Sequence, residues 1–333
     1  MTVNAATSTT YDRVGIREDL SDMIYDISPT ETPVFSAIKK GKAMTARSIE
    51  WQKDALAAAS GTNALIEGDD AAYSTRSATT RLANRAQTFG KAIIVSDIAN
   101  AVTTAGRKEE MAYQLAKVAK EVKRNIETTI TGNYASLIGS TASAGTLGSI
   151  EAWIETNDSR GSGGSDGGFT PTGSVVEAAT DADDGGTTNC RTFTEARLKA
   201  VIKSCWEAGG DPTLINVGGF NKQAGSAFAG IATKYQQLST GGKRDSSDVA
   251  ILGAADWYVS DFGQHKIVAN RFSRGRSALV LDLEYWSLHY LLPFQTKELA
   301  RTGTAEKRQL TTTLSLCSKN EAASGVVADL LVA

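Results

Sequence analysis

Six apolar residues, Met111, Leu115, Val118, Val122, Ile126 and Ile130, recur four, three, four, four and four positions apart, which draws one stripe down a helix of 3.6 residues per turn. Lys117, Lys120, Lys123 and Arg124 fall off that stripe. The pattern predicts an amphipathic helix bounded by Gly106 and Gly132, about 25 residues or ~37 Å long. A rod of that length is wider than a small domain, so the chain must be large or elongated.

Length and charge narrow the classes. The chain has 333 residues and a net charge of -2, with a pI near 5.9. It is long enough for two domains, or for one domain with large excursions. It lacks the basic footprint of a nucleic-acid or membrane-surface binder, so the expected partners are proteins. No run approaches the length of a membrane span, and the opening MTVNAATSTTYDR has neither the basic nor the apolar region of a signal peptide. The expectation is a soluble chain made in the cytosol. Its three cysteines, Cys190, Cys205 and Cys317, are unevenly spaced with no CxxC pair, which fits reduced packing residues.

Along the chain the character changes in blocks. Residues 1 to 16 are rich in Thr, Ala and Ser. Leu20, Ile24 and Ile27 then recur at helical spacing, with Glu18, Asp19 and Asp22 near the start of the run. SPTETP at 28 to 33 disfavours helix before each proline, so the opening reads as an arm that needs an apolar surface to lie on. TARSIEWQK at 45 to 53 puts Ile49, Trp51 and Lys53 on one side of a strand, and RLANRAQTFGKAIIV at 81 to 95 is a second extended run. Together they read as one long hairpin of about 12 pairs and ~40 Å, with a tip rich in Ala and Gly that carries Leu65 and Ile66. Arg76, Arg81, Arg85 and Lys91 on the returning side oppose Glu67, Asp69 and Asp70 in sign. That pattern suits either a solvated surface or charge matching between subunits.

Residues 139 to 190 hold GSTASAGTLGS, RGSGGSDGGFTPTGS and TDADDGGTTN, polar glycine-rich stretches expected on the surface. Thr194 then starts a helix with Leu198, Val201, Ile202 and Cys205 inward, ending at Gly209 and Gly210. PTLINVGG reads as a strand and turn, and a short helix is expected around 220 to 231. From 256 onward apolar alternation, notably Leu279, Leu281, Leu283 and Tyr285, and later Leu310, Leu314 and Leu316, predicts mostly sheet. The class is α+β.

Catalytic patterns are almost wanting. GGSDG at 163 to 167 spells a nucleophile elbow around Ser165, yet that motif works only on a strained strand-to-helix turn beside a histidine. Here it lies in glycine-rich low complexity. His265 and His289 are not spaced as a metal pair, and DADDGG at 181 to 186 lacks the twelve-residue frame of a calcium loop. No phosphate-binding or dinucleotide fingerprint is spelled. Neither a cofactor nor a metal site is expected.

The order of TTYDRVGIREDLSDMIYDISPTETPVFSAIKKG, WQKD, WEAGGDPTLINVGG, VSDFGQHKIVANRF and LPFQTKELARTGTAEKRQLTTTLSL resembles the major head (major capsid) proteins of tailed bacteriophages. EDLSDMIYDISPTETP and KELARTGTAEKRQL are the most specific pieces. The resemblance spans nearly the whole chain and implies the tailed-phage capsid fold. Residues 1–41 would be an N-terminal arm, 42–92 an extended hairpin called the E-loop, and 93–138 the spine-helix region of a peripheral P-domain. Residues 139–255 would be an axial A-domain with glycine-rich surface loops, and 256–333 strands shared by both domains.

The resemblance also implies a function, a self-assembling icosahedral shell around phage double-stranded DNA, assembled in the host bacterial cytoplasm and carried in the virion. Its partners would be other copies of itself in hexameric and pentameric capsomers, separate scaffold and portal proteins and a decoration protein, with DNA enclosed without sequence-specific binding and no membrane. The expected assembly contacts are Leu20, Ile24, Ile27, Val34 and Phe35 in the arm, and Trp51, Leu65, Ile66, Arg81 and Arg85 in the hairpin. Related shells can be welded by a lysine–asparagine isopeptide bond; Lys53 is the one lysine well inside the hairpin and nothing assigns it a partner, so a noncovalent shell is expected. The alternatives are an encapsulin-like nanocompartment shell and, from another class, a serine hydrolase using Ser165.

Overall fold

A computed structural model of the protein describes residues 28–332 apart from 65, 69, 71–72, 74–75, 77, 103–108, 183–188 and 229–255. Pro33 opens a short helix, α1 (Pro33–Ala37), because proline at the first helical position gives up an N–H that would be unpartnered anyway. The expected extended arm therefore ends at Thr32. β1 (Lys39–Lys40) follows, and β2 (Ser48–Lys53) pairs antiparallel with β3 (Thr80–Arg85) from Ser48↔Arg85 to Lys53↔Thr80.

Six pairs span only ~20 Å, half the expected hairpin. The returning strand breaks at Ala86, and β4 (Gln87–Ser96) joins another sheet. Asn84 holds the break. Its side chain is fully buried; Nδ2 donates to the carbonyls of Gly148 (3.1 Å) and Leu316 (2.6 Å), and Oδ1 accepts from the amides of Gly148 (2.9 Å) and Arg85 (2.8 Å). A buried amide with its capacity filled is a firm structural node.

After α2 (Asp97–Ala101), capped by Ser96, comes α3 (Glu110–Ile130), a spine of 21 residues and ~32 Å. Met111, Val118, Val122, Ile126 and Ile130 are buried as the stripe requires, while Leu115 is half-buried. Glu127 is buried beside them, which the stripe did not forecast.

The glycine-rich stretch corrects the sequence reading. It contains α4 (Ile150–Trp153), β5 (Asp158–Ser159), β6 (Gly168–Thr170) and β7 (Val175–Glu177). Leu147, Ile150, Trp153, Ile154 and Val176 share one core with the buried face of α3. Glycine there permits close approach rather than exposure: a Cβ on Gly148 would stand 2.8 Å from that of Val176.

Then follow α5 (Glu195–Glu207), β8 (Leu214–Val217) and α6 (Gly219–Ser226). The C-terminal third is sheet, as expected: β9 (Trp257–Ser260), β10 (Gly263–Ala269), β11 (Ala278–Leu281), β12 (Trp286–Glu298), β13 (Ala305–Ser318) and β14 (Gly325–Val327). Among the described residues, a four-stranded sheet runs β1-β12-β13-β4 and a six-stranded sheet β5-β14-β11-β8-β10-β9. The long β12–β13 ribbon shifts register between Tyr290 and Gln295, around Pro293, which cannot donate a ladder hydrogen bond.

Two cores result. The first gathers α1, α3, the 147–154 segment and the four-stranded sheet; the second lies between α5 and the six-stranded sheet. β11 belongs to both, because alternate residues of a strand face opposite ways. Leu279 and Leu281 enter the first core, Ala278 and Val280 the second.

Candidate assembly surfaces

The hairpin is anchored at its root. Trp51 lies 5.3 Å from the Trp153 ring, which stacks on Phe169 at 5.8 Å. Lys53 pairs with Glu321 at 3.2 Å, and Arg85 donates to the carbonyls of Gly173 (3.1 Å) and Ser174 (3.2 Å). Arg81 pairs with Glu50 on the adjoining strand. Trp51 and Arg85, expected to reach a neighbour, are engaged by their own chain, and Lys53 is tied down at the root by a carboxylate. A cleft of about 580 Å³ separates the start of the loop from the Trp153–Phe169 stack.

Beyond the root, three large apolar residues stand exposed among the described residues. Leu56 is 96%, Ile66 76% and Tyr73 98% exposed, while Glu67 and Asp70 beside them are exposed acids. Leu65 lies outside the described residues. Three large apolar side chains left in water on one loop are the mark of a surface awaiting a partner.

The arm enters through a second anchor. Val34 is 0% exposed within its own subunit, so it is not free to cross to a neighbour: the N-terminal proline turns the chain into α1, and α1 packs on α3. The Glu127 carboxylate accepts from the amides of Val34 (3.0 Å) and Phe35 (2.7 Å) and from Asn270 Nδ2 (2.6 Å). It thereby joins the arm root, the spine and the end of β10. Burial pushes its carboxyl up from the ordinary range, against the three hydrogen bonds that favour the charged form. Arg124 donates to the carbonyl of Pro29 at 3.4 Å and lies over the Phe272 ring. Phe35 is half-buried at the edge of an apolar groove of about 600 Å³, floored by Leu288, Tyr290 and Phe294. Leu20, Ile24 and Ile27 lie outside the described residues.

The residues singled out for chemistry do not converge. His265 is buried, with Nε2 at 2.7 Å from Ser260 Oγ and Nδ1 on the carbonyl of Pro212. His289 has Nε2 on Ser287 Oγ (2.9 Å) and Nδ1 on the carbonyl of Lys42 (2.8 Å). Both rings spend both nitrogens away from Ser165, which sits on an exposed bridge to Thr180. Asp181 pairs with Arg274, so it is not an open ligand, and no group of metal-ligating side chains occurs among the described residues. Burial pushes the thiols of Cys205 and Cys317 up to about 12 and about 11, which suppresses the nucleophilic thiolate.

The exposed apolar loop accords with the comparisons to known proteins. A family described as the SU10 major capsid protein matches residues 2–331. The chain belongs to that family. It is 26% identical, over 344 residues and 95% of each chain, to the major capsid protein of Escherichia phage Phieco32. Its fold resembles the cyanophage A-1(L) capsid subunit with a TM-score of 0.62, at 12% identity over 95% of this chain and 97% of that one. An encapsulin of Synechococcus elongatus shares it at 0.52, with 9% identity over 95% and 93%.

This major capsid protein is thus a structural component of the phage virion, and it forms the head shell by self-assembly. It has the tailed-phage capsid fold, here a mixed architecture of helices and sheets. Sequence reasoning missed Asn84 and Glu127, the two buried polar nodes that fix where the hairpin and arm leave the body.

Proposed function

We propose that the capsid protein closes its shell through noncovalent contacts of the E-loop and arm with neighbouring copies, arranged in hexameric and pentameric capsomers. The exposure of Leu56, Ile66 and Tyr73 on a loop rooted in a firm hairpin carries this reading. Burying an aliphatic or aromatic side chain is worth about 1.5–3 kcal/mol, so three per subunit, repeated around every capsomer, are a large drive toward closure. Arg81, paired to the exposed Glu50, can exchange partners at small cost.

Division of the chain into an arm through 41, an E-loop from 42, a spine region and an A-domain is part of the same proposal. It carries one amendment: residues 147–154 go with the spine, whose core they fill. A net charge of -2 suits a wall that encloses DNA without binding its sequence. Scaffold, portal and decoration proteins are separate chains in this reading, and assembly takes place in the host cytoplasm.

Negative-stain electron microscopy of the purified protein tests it. Closed shells or ring-shaped capsomers are expected. Monodisperse monomers at high concentration would refute shell assembly, and shells isolated from cells with an enzyme inside and no DNA would favour the nanocompartment.

A further inference from the structure

The groove beside α1 has the wrong character for open solvent. Its walls are the arm root at Phe35 and Ile38, the β12 residues Leu288, Tyr290 and Phe294, and one side of α3 at Lys123. A volume near 600 Å³ lies in the range that buries most of a drug-sized apolar group. The charges on its lining are Lys40 and Lys123, with no acid among the lining residues. Lys39, Lys42 and Lys120 are exposed close by in sequence.

The chain itself carries the matching piece. Residues 18–27, EDLSDMIYDI, combine Leu20, Ile24 and Ile27 at spacings of four and three with Glu18, Asp19, Asp22 and Asp26. Placed on a helical wheel, the acids fall opposite and beside the apolar stripe. That is the pattern of a segment that lays one face into an apolar groove and presents carboxylates to a cationic rim. It also starts in the right place. Arg124 holds the carbonyl of Pro29, one residue along α3 from Lys123 of the groove wall. The chain before Pro29 therefore enters beside the helix that forms one wall of the groove.

We propose that, in the unassembled subunit, residues 18–27 dock into this groove of their own chain. Tethering makes the event intramolecular, at an effective concentration in the millimolar range. The inference rests on the shell reading, in which the same segment passes to the identical groove of a neighbour. Such an exchange keeps every contact and changes only the owner. The arm would thus be covered before assembly rather than exposed to aggregation.

The test is a photo-crosslinker at position 24 of the full chain, irradiated at low concentration as a size-selected monomer and mapped by mass spectrometry. Monomer-sized product with crosslinks to 35–43 or 288–294 is expected. Reversing the rim with Lys40→Glu and Lys123→Glu should lower its yield roughly fivefold, and adding Asp22→Lys and Asp26→Lys should restore it. Crosslinks mapping elsewhere would overturn the proposal, as would groove crosslinks found only in dimers or larger species, or an unchanged yield on charge reversal. Parallel microscopy of the parent protein separates the two ideas: shells without groove crosslinks refute the docking alone, and failure to form shells refutes the assembly reading.

Discussion

Replacing Glu127 by alanine should cost the subunit about 3 kcal/mol, and the figure follows from what the carboxylate touches. Two backbone donors, the amides of Val34 and Phe35, would be left without acceptors inside the core, at about 1–3 kcal/mol each. Asn270 loses a third bond. The offset is relief from burying a carboxylate, whose charged form burial already disfavours. About 3 kcal/mol is a large share of a typical ~5–15 kcal/mol and would lower Tm by ~4 °C in a chain of 333 residues. Urea unfolding of the unassembled subunit measures the total, and amide exchange at Val34 and Phe35 localises it. The reasoning would be refuted by a loss under ~0.5 kcal/mol with both amides as protected as in the parent.

The same site has a pH signature. The folded-state pKa of Glu127 is raised above 4.5, so the native state binds the proton more tightly than the unfolded chain. Its contribution is fully present below 4.5 and fades as pH rises through the folded value. The parent's advantage over Glu127→Gln, which cannot ionise, should therefore widen as the pH falls toward 4.5.

Replacing residues 54–79 by a short Gly-Ser turn should leave unfolding of the monomer within ~1 kcal/mol while abolishing closed shells; loss of folding would mean the loop is core. Gly325→Ala should cost ~1–3 kcal/mol, because its Cβ would run into Val201, the carbonyl of Asn157 at 2.8 Å and Cys205 Sγ at 2.9 Å; urea unfolding reads the loss. Replacing Cys190, Cys205 and Cys317 together by alanine should leave shell closure intact under oxidant and reductant alike, with a packing loss only at the buried Cys205 and Cys317. Closure that fails specifically under reductant in the parent would contradict this.

Periodicity made the largest elements readable. The stripe on α3, the helix from Thr194 and the alternation at Leu279 and Leu281 each report a face that must be buried, and burial followed. What stayed hidden depends on partners distant in sequence. Glu127 sits next to Ile126 on a helix full of lysine and glutamate, and nothing in its type reveals that two amides 92 and 93 positions earlier need it. RLANRAQTFGKAIIV reads as one strand because the break at Ala86 is imposed by Asn84 gripping Gly148 and Leu316. The glycine-rich middle misled through composition, although Leu147, Ile150, Trp153 and Ile154 among those glycines already had helical spacing. Among the expected assembly contacts, the residue types misled at Trp51 and Val34, where an apolar side chain near an appendage serves its base.

The strand β11 shared by the two cores has a mechanical consequence. A four-residue segment, Ala278–Leu281, is a party wall: one side of it lines the core that contains α3 and the other the core beneath α5. A cut in the chain cannot give either side a wall of its own, so a chimera that swaps one side between related subunits would inherit half of someone else's core. A torque applied to one side as copies push together is likewise delivered as shear across that segment and its sheet partners β8 and β14, whose residues are also divided between the two cores. Such a subunit yields as one piece, so any freedom to adapt to neighbouring copies has to come from segments outside the two cores.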